Sequence, residues 1–143
     1  MALGANNEIP QQLAKVLIVE DDKLLAYIMQ LTLEGEGYAV VTAANGREGY
    51  VAYRSFRPDL IVTDVDMPEV DGLQMMQQIR TVDPKVKTIF MTAESERHLH
   101  GLEQEKNQNQ SSILEKPFPR IELLREVTVK LGEFSPYKPF APL

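Results

Sequence analysis

Three aspartates are the residues of this sequence best placed to do chemistry. Asp64 ends the apolar run Asp59-Leu-Ile-Val-Thr-Asp64, and a second run, Lys15-Val-Leu-Ile-Val-Glu20, leads straight into Asp21 and Asp22. If both runs are strands of one parallel sheet, three carboxylates crowd a single edge. Two like charges about 4 Å apart repel by about 4 kcal/mol at an effective dielectric near 20, so such a group either keeps protons on some members or binds a cation. Ligands that are all oxygen select a hard cation, magnesium first, with manganese as its substitute.

The elements that must position these residues follow from the hydrophobic pattern. Short apolar runs at residues 16–19, 38–42, 60–63, 86–91 and 112–114 read as strands. Between them lie stretches of helical period. The first, residues 24–33, puts Leu24, Ile28 and Leu31 on one face and is closed by Gly35 and Gly37. After the turn signal Asn45-Gly46 a helix runs to Phe56, stopped by Pro58. The third, about residues 72–81, turns Leu73, Met76 and Ile79 inward, and Asp83-Pro84 ends it. The last follows Lys116-Pro117 and buries Ile121, Leu124, Val127 and Leu131. The pattern is (βα) five times over.

Near-continuous apolar strands joined by helices predict an α/β fold: a five-stranded parallel sheet covered on both faces. Right-handed crossovers make it open and doubly wound, with ligands bound beyond the carboxyl ends of the strands. Asp21, Asp22, Asp64, Thr92 and Lys116 all fall after such ends, so one rim collects every polar group singled out.

Composition limits the alternatives. A length of 143 residues suits one domain, and 43% hydrophobic with 25% charged residues is the balance of a globular protein. No apolar stretch approaches the roughly 20 residues that span a bilayer, and the first residues lack the features of a secretory signal. A cytoplasmic protein without membrane contact is therefore expected. The absence of cysteine excludes disulfides, thiolate catalysis and zinc held by sulfur. A formal charge of −6 argues against nucleic-acid binding by this domain.

The segments Val-Leu-Ile-Val-Glu-Asp21-Asp22, Pro58-Asp-Leu-Ile-Val-Thr-Asp64-Val-Asp-Met67-Pro68-Glu-Val-Asp71-Gly72, Phe90-Met-Thr92-Ala93 and Lys116-Pro117-Phe118 resemble, in order and spacing, the receiver domain of a two-component response regulator. The resemblance covers residues 15–131. It implies the flavodoxin-like strand order 2-1-3-4-5, a phosphoacceptor at Asp64, and magnesium held by Asp22, Asp64 and the backbone carbonyl of Asp66, with Asp21 on a metal-bound water. It further implies that Lys116 and Thr92 contact the phosphoryl group and that Lys116-Pro117 is a cis peptide. The phosphodonor would be a histidine kinase or phosphotransfer protein. The signal would leave through the fourth helix, fifth strand and fifth helix, to an output domain not in this chain or to a second copy in a homodimer. In that reading the domain is no enzyme beyond its own phosphorylation and dephosphorylation.

The chain divides into a lead-in (1–14), the receiver domain (15–132) and a proline-rich tail (133–143). It departs from the family at Ile113, where the family commonly carries an aromatic switch residue, and in a very polar fourth helix anchored by Leu99 and Leu102. So small an apolar stripe predicts weak docking and a mobile helix. His98 and His100, two apart, are expected to be solvated. Asp71 is expected to cap the third helix, and the same role is the alternative for Asp21 and Asp22. Two other functions compete: a phosphatase of the haloacid dehalogenase type, whose nucleophile and acid Asp64-Val-Asp66 imitates, and a scaffold receiver that takes no phosphate. An unused acidic cluster would cost stability, which counts against the scaffold.

Overall fold

The three inner strands are buried on both faces, so their side chains alternate between two cores, and the connecting residues supply helices that cover both. In the computed structural model, which describes residues 13–132, the order is β1 (Lys15–Val19), α1 (Lys23–Gly35), β2 (Ala39–Ala43), α2 (Gly46–Phe56), β3 (Leu60–Asp64), α3 (Gly72–Arg80), β4 (Lys87–Thr92), a 3-10 turn (Ser95–His98), α4 (Leu99–Asn109), β5 (Ser112–Glu115) and α5 (Arg120–Leu131). The proline-rich tail and all but the end of the lead-in lie outside the described residues. All strand pairs are parallel, and the sheet order is β2-β1-β3-β4-β5. This is the 2-1-3-4-5 arrangement expected from the sequence. Strand order reverses between β1 and β3, and there the crevice opens.

Alternation within β1 shows the two layers. Val16 and Ile18 join Met29, Leu33, Leu123, Val127 and Leu131 in the core under α1 and α5. Leu17 and Val19 join Tyr53, Met75, Met76, Ile79 and Leu102 in the core under α2, α3 and α4. Full burial of side chains of this size is worth about 1.5–3 kcal/mol each, so register in β1 is strongly specified.

One helix differs from expectation in phase, and a second in part. In α1 the stripe Leu24, Ile28 and Leu31 faces solvent, at 68%, 43% and 50% exposure, while Ala26, Met29, Thr32 and Leu33 are buried. Both sets fit a 3.6-residue period, so periodicity alone could not choose between them. In α5 Ile121 is exposed and Leu124 only half-buried, and the buried row is Leu123, Val127 and Leu131. The third helix matches better: Met76 and Ile79 are buried, with Met75 added and Leu73 packed against the same core.

Candidate functional site

The rim at the reversal point is built by chain ends that leave the sheet at once. After Val19 the chain makes one more sheet-like bond, from Glu20 N to Ala43 O at 3.0 Å, so Glu20 still points with the strand and is buried. Asp21 follows, exposed. Asp22 already belongs to α1: its carboxylate accepts from Leu25 N at 3.1 Å and caps the helix. Asp64 ends β3 and is 5% exposed. Gly72 is required beside it, since a Cβ there would lie 2.2 Å from the Asp64 carbonyl oxygen.

Glu20, Asp21 and Asp64 each bring a carboxylate oxygen within 4.8 Å of the others. Of the residues expected to hold the cation, Asp21 and Asp64 are in this cluster with Glu20, while the Asp22 carboxylate serves as the cap of α1. The physical reason is the strand's length. With β1 ending at Val19, the first residue past it faces the crevice and the third has entered the cap. The capping alternative holds for Asp22 and not for Asp21. Asp71 caps α3 as expected, in a reciprocal capping box with Gln74.

Lys116 arrives from the end of β5. Its backbone N–H donates to Thr92 O at 2.9 Å, and its bond to Pro117 is cis. The ammonium donates to Glu20 Oε1 at 2.9 Å and lies 3.3 Å from Asp64 Oδ2. Thr92 ends β4, fully buried, and its hydroxyl accepts from Glu94 N at 3.0 Å. Ile113, at the expected switch position, is half-buried against the core beneath α2 to α4.

The electrostatic balance of this group is decided by burial. At an effective dielectric near 20, each carboxylate pair within 4.8 Å repels by at least about 3.5 kcal/mol, and each Lys116 contact attracts by about 5–6 kcal/mol. One ammonium thus offsets much of the Coulombic repulsion, and the loss of hydration is left over. Accordingly burial pushes the Asp64 carboxyl above its ordinary range, with Asp21 adding to the rise while Lys116 and the backbone of Asp66 oppose it. Burial raises Glu20 as well, against the hydrogen bonds from Lys116 and Asp22 N. For Lys116 burial acts downward, but the bonds and charges of Glu20 and Asp64 outweigh it, and its pKa ends above the usual value. Three oxygen donors within reach of one another, two of them buried and reluctant to ionise, fit a small hard dication.

Two features were not legible in advance. His98, expected to be solvated, is partly buried, with Nε2 2.6 Å from Asp66 Oδ1; Arg97 lies 3.8 Å from the same oxygen. His100 is exposed, as expected. The fourth helix has one buried apolar anchor, Leu102, while Leu99 is exposed. Its second anchor is polar: Glu105, paired with Arg80 at 2.8 Å. A glutamate in a polar run carries no sign in sequence that it is buried.

A doubly wound sheet of this order, with acidic groups and a lysine at its reversal point, defines a signalling domain of the chemotaxis-regulator type. Comparison with known proteins agrees. The profile of the response regulator receiver domain matches residues 16–128. The response regulator MprA of Mycolicibacterium vanbaalenii is 34% identical over 125 residues, which cover 85% of this chain and 52% of that protein. The transcriptional regulatory protein GlrR of Escherichia coli is 40% identical over 80 residues, 56% of this chain and 18% of that protein. Among solved structures, the chemotaxis protein CheY4 of Vibrio cholerae superposes with a TM-score of 0.75 at 30% identity, covering 84% of this chain and 100% of that one. The chain belongs to the response regulator receiver domain family. It spans about half or less of the length of these two curated relatives.

Proposed function

We propose that Asp64 is the phosphoacceptor of a magnesium-dependent receiver, with Glu20 and Asp21 as its partners in holding the cation and Lys116 as the fixed positive charge opposite. The observation that carries this is the Lys116 ammonium shared between Glu20 and Asp64 beside the three-carboxylate cluster. The Asp64 carboxylate attacks the phosphorus of the donor, an acyl-phosphate O–P bond forms, and the donor's P–N or P–O bond breaks. A dication held by these oxygens, magnesium or manganese, supplies charge neutralisation for the incoming group. Lys116 adds a compact charge to the same phosphoryl oxygens, and the Thr92 hydroxyl donates to them once it releases Glu94 N. The backbone carbonyl of Asp66 remains in the proposed ligand set. Because the transfer depends on positioning and electrostatics, the domain needs no further catalytic group.

The donor is a histidine kinase or phosphotransfer protein. Phosphorylation adds about 1.5–2 negative charges, and Thr92 with the 3-10 turn behind it registers them. The surface of α4, β5 and α5 carries the change to an output domain of a longer protein or to a second copy. No helix of the described residues is long and apolar enough to cross a membrane, and a cytoplasmic site of action belongs to the same reading. The phosphatase alternative loses ground because the Asp66 side chain, its general acid, is taken up by His98 and Arg97.

The test is incubation with acetyl phosphate, with and without magnesium. Magnesium-dependent, hydroxylamine-labile phosphate on the protein supports the reading. Hydroxylamine-stable phosphate, or turnover of added phosphomonoesters, contradicts it.

A further inference from the structure

The fourth helix is held very differently at its two ends. Its C-terminal half is fastened through Arg80, the last residue of α3, whose side chain and that of Glu105 are each only 10% exposed. Nη2 donates to Glu105 Oε1 at 2.8 Å, to Thr88 Oγ1 at 3.0 Å and to Ser111 Oγ at 3.3 Å. Nε reaches Glu105 Oε2 at 3.4 Å, while Nη1 donates to the carbonyls of Val86 at 2.8 Å and Pro84 at 3.4 Å. Ser111 Oγ donates to Glu105 Oε1 at 2.9 Å. The planar fork is thus satisfied on all sides by α3's own exit loop, β4, α4 and the start of β5.

Toward the other end, beyond the buried Leu102 and the approach of Gly101 to Leu73, the polar ties run through the preceding turn. His98 meets Asp66, which is 35% exposed and sits two residues beyond Asp64. Arg97 there is 67% exposed, and Leu99 faces solvent.

We propose that the buried pair of Arg80 and Glu105 is a fixed post about which α4 pivots, so that residues 104–110 stay in place in both phosphorylation states while residues 96–101 move. This rests on Asp64 being the phosphoacceptor. Directional bonds make the post. One residue of register shift moves a helical side chain by about 1.5 Å along the axis and 100° around it, and no such position keeps both Glu105 oxygens on the guanidinium. Sliding and rolling are therefore blocked at this end, and tilting of the N-terminal end remains. A helix with a single buried leucine acquires by this means the register that apolar packing would otherwise set. An unpaired guanidinium buried at the same place is strongly unfavourable, which keeps the post closed.

Amide hydrogen exchange on the full chain tests this, with magnesium and beryllium fluoride as the phosphoryl analogue. In the unmodified protein the analogue is expected to change exchange at residues 96–101 and leave residues 104–110 within about twofold. Glu105→Gln, without the analogue, is expected to speed exchange at 104–110 by on the order of tenfold, while β1 and β3 keep their protection. Equal changes at both ends of α4 on adding the analogue would overturn the proposal. So would unchanged protection of 104–110 in Glu105→Gln. If that variant loosens the strands as well, Arg80→Lys, which keeps the charge but not the fork, replaces it with the same two criteria. A protein that takes no label from acetyl phosphate and shows no effect of the analogue contradicts the phosphoacceptor reading, and the variants still decide the post.

Discussion

Replacing Glu20 by glutamine and, separately, Asp22 by alanine distinguishes two roles that neighbouring carboxylates divide between them. Glu20→Gln keeps the side chain's shape and an oxygen for the Lys116 ammonium, and removes one charge from the cluster. Removing one of the negative charges that face a dication weakens the Coulomb attraction of the cluster for it. Even a carboxylate that only orients a ligand is worth about tenfold in metal affinity, so magnesium binding by calorimetry should weaken by at least about tenfold. Loss of fold would not account for this. Glu20 has its folded pKa raised above 4.5, so its ionisation costs stability as pH rises through that window, and at neutral pH without metal the variant should be at least as stable as the parent. Asp22→Ala should do the reverse. Its exposed carboxylate caps α1, so the loss is about 1 kcal/mol of stability, or about 3–6 °C in Tm, with magnesium affinity changed by less than about threefold because an exposed charge is screened. Parent-like magnesium binding in Glu20→Gln, together with lost binding in Asp22→Ala, would refute the assignment.

Asp64 and Glu20 both bind protons more tightly folded than unfolded, so their contribution is favourable below the ordinary values of 3.8 and 4.5 and is lost as pH rises through the raised folded values. Lys116, raised from 10.5, contributes throughout this range and loses its part only at higher pH. Relative to Asp64→Asn, the metal-free parent should therefore be less stable at neutral pH than at about pH 4, measured by urea unfolding, and magnesium should remove that penalty. Gly72→Ala forces a Cβ to 2.2 Å from the Asp64 carbonyl and should cost about 1–3 kcal/mol; an unchanged denaturation midpoint would mean that no such close approach exists. Leu102→Ala removes the one buried apolar residue of α4 and should cost about 2–5 kcal/mol by the same measurement.

The strands were legible because four to six apolar residues between glycine, proline and acidic punctuation admit few other readings, and their order came with the family resemblance. The phase of α1 was not, and that of α5 only for Val127 and Leu131. Leu24, Ile28 and Leu31 are as periodic as Ala26, Met29 and Leu33, and the helix's docking on the sheet, a tertiary effect, decides which row is buried. At the site, Asp64, Asp21 and Lys116 were readable from strand ends. Glu20 has no such signal: the resemblance puts the ligands on Asp21 and Asp22, and only the folded rim shows that the first residue past β1 turns into the crevice. Nothing local distinguishes Glu105 or His98 from the polar residues around them. Their roles come from Arg80 and Asp66, which the chain brings close only after folding.

The central claim is that Asp64 takes up a phosphoryl group within a cation-holding acidic cluster. Intact mass after incubation with acetyl phosphate and magnesium tests it most directly, comparing the parent with Asp64→Asn. One added phosphoryl group on the parent, not formed when magnesium is chelated beforehand and absent from Asp64→Asn, is the expected result. Equal labelling of the two proteins would contradict it.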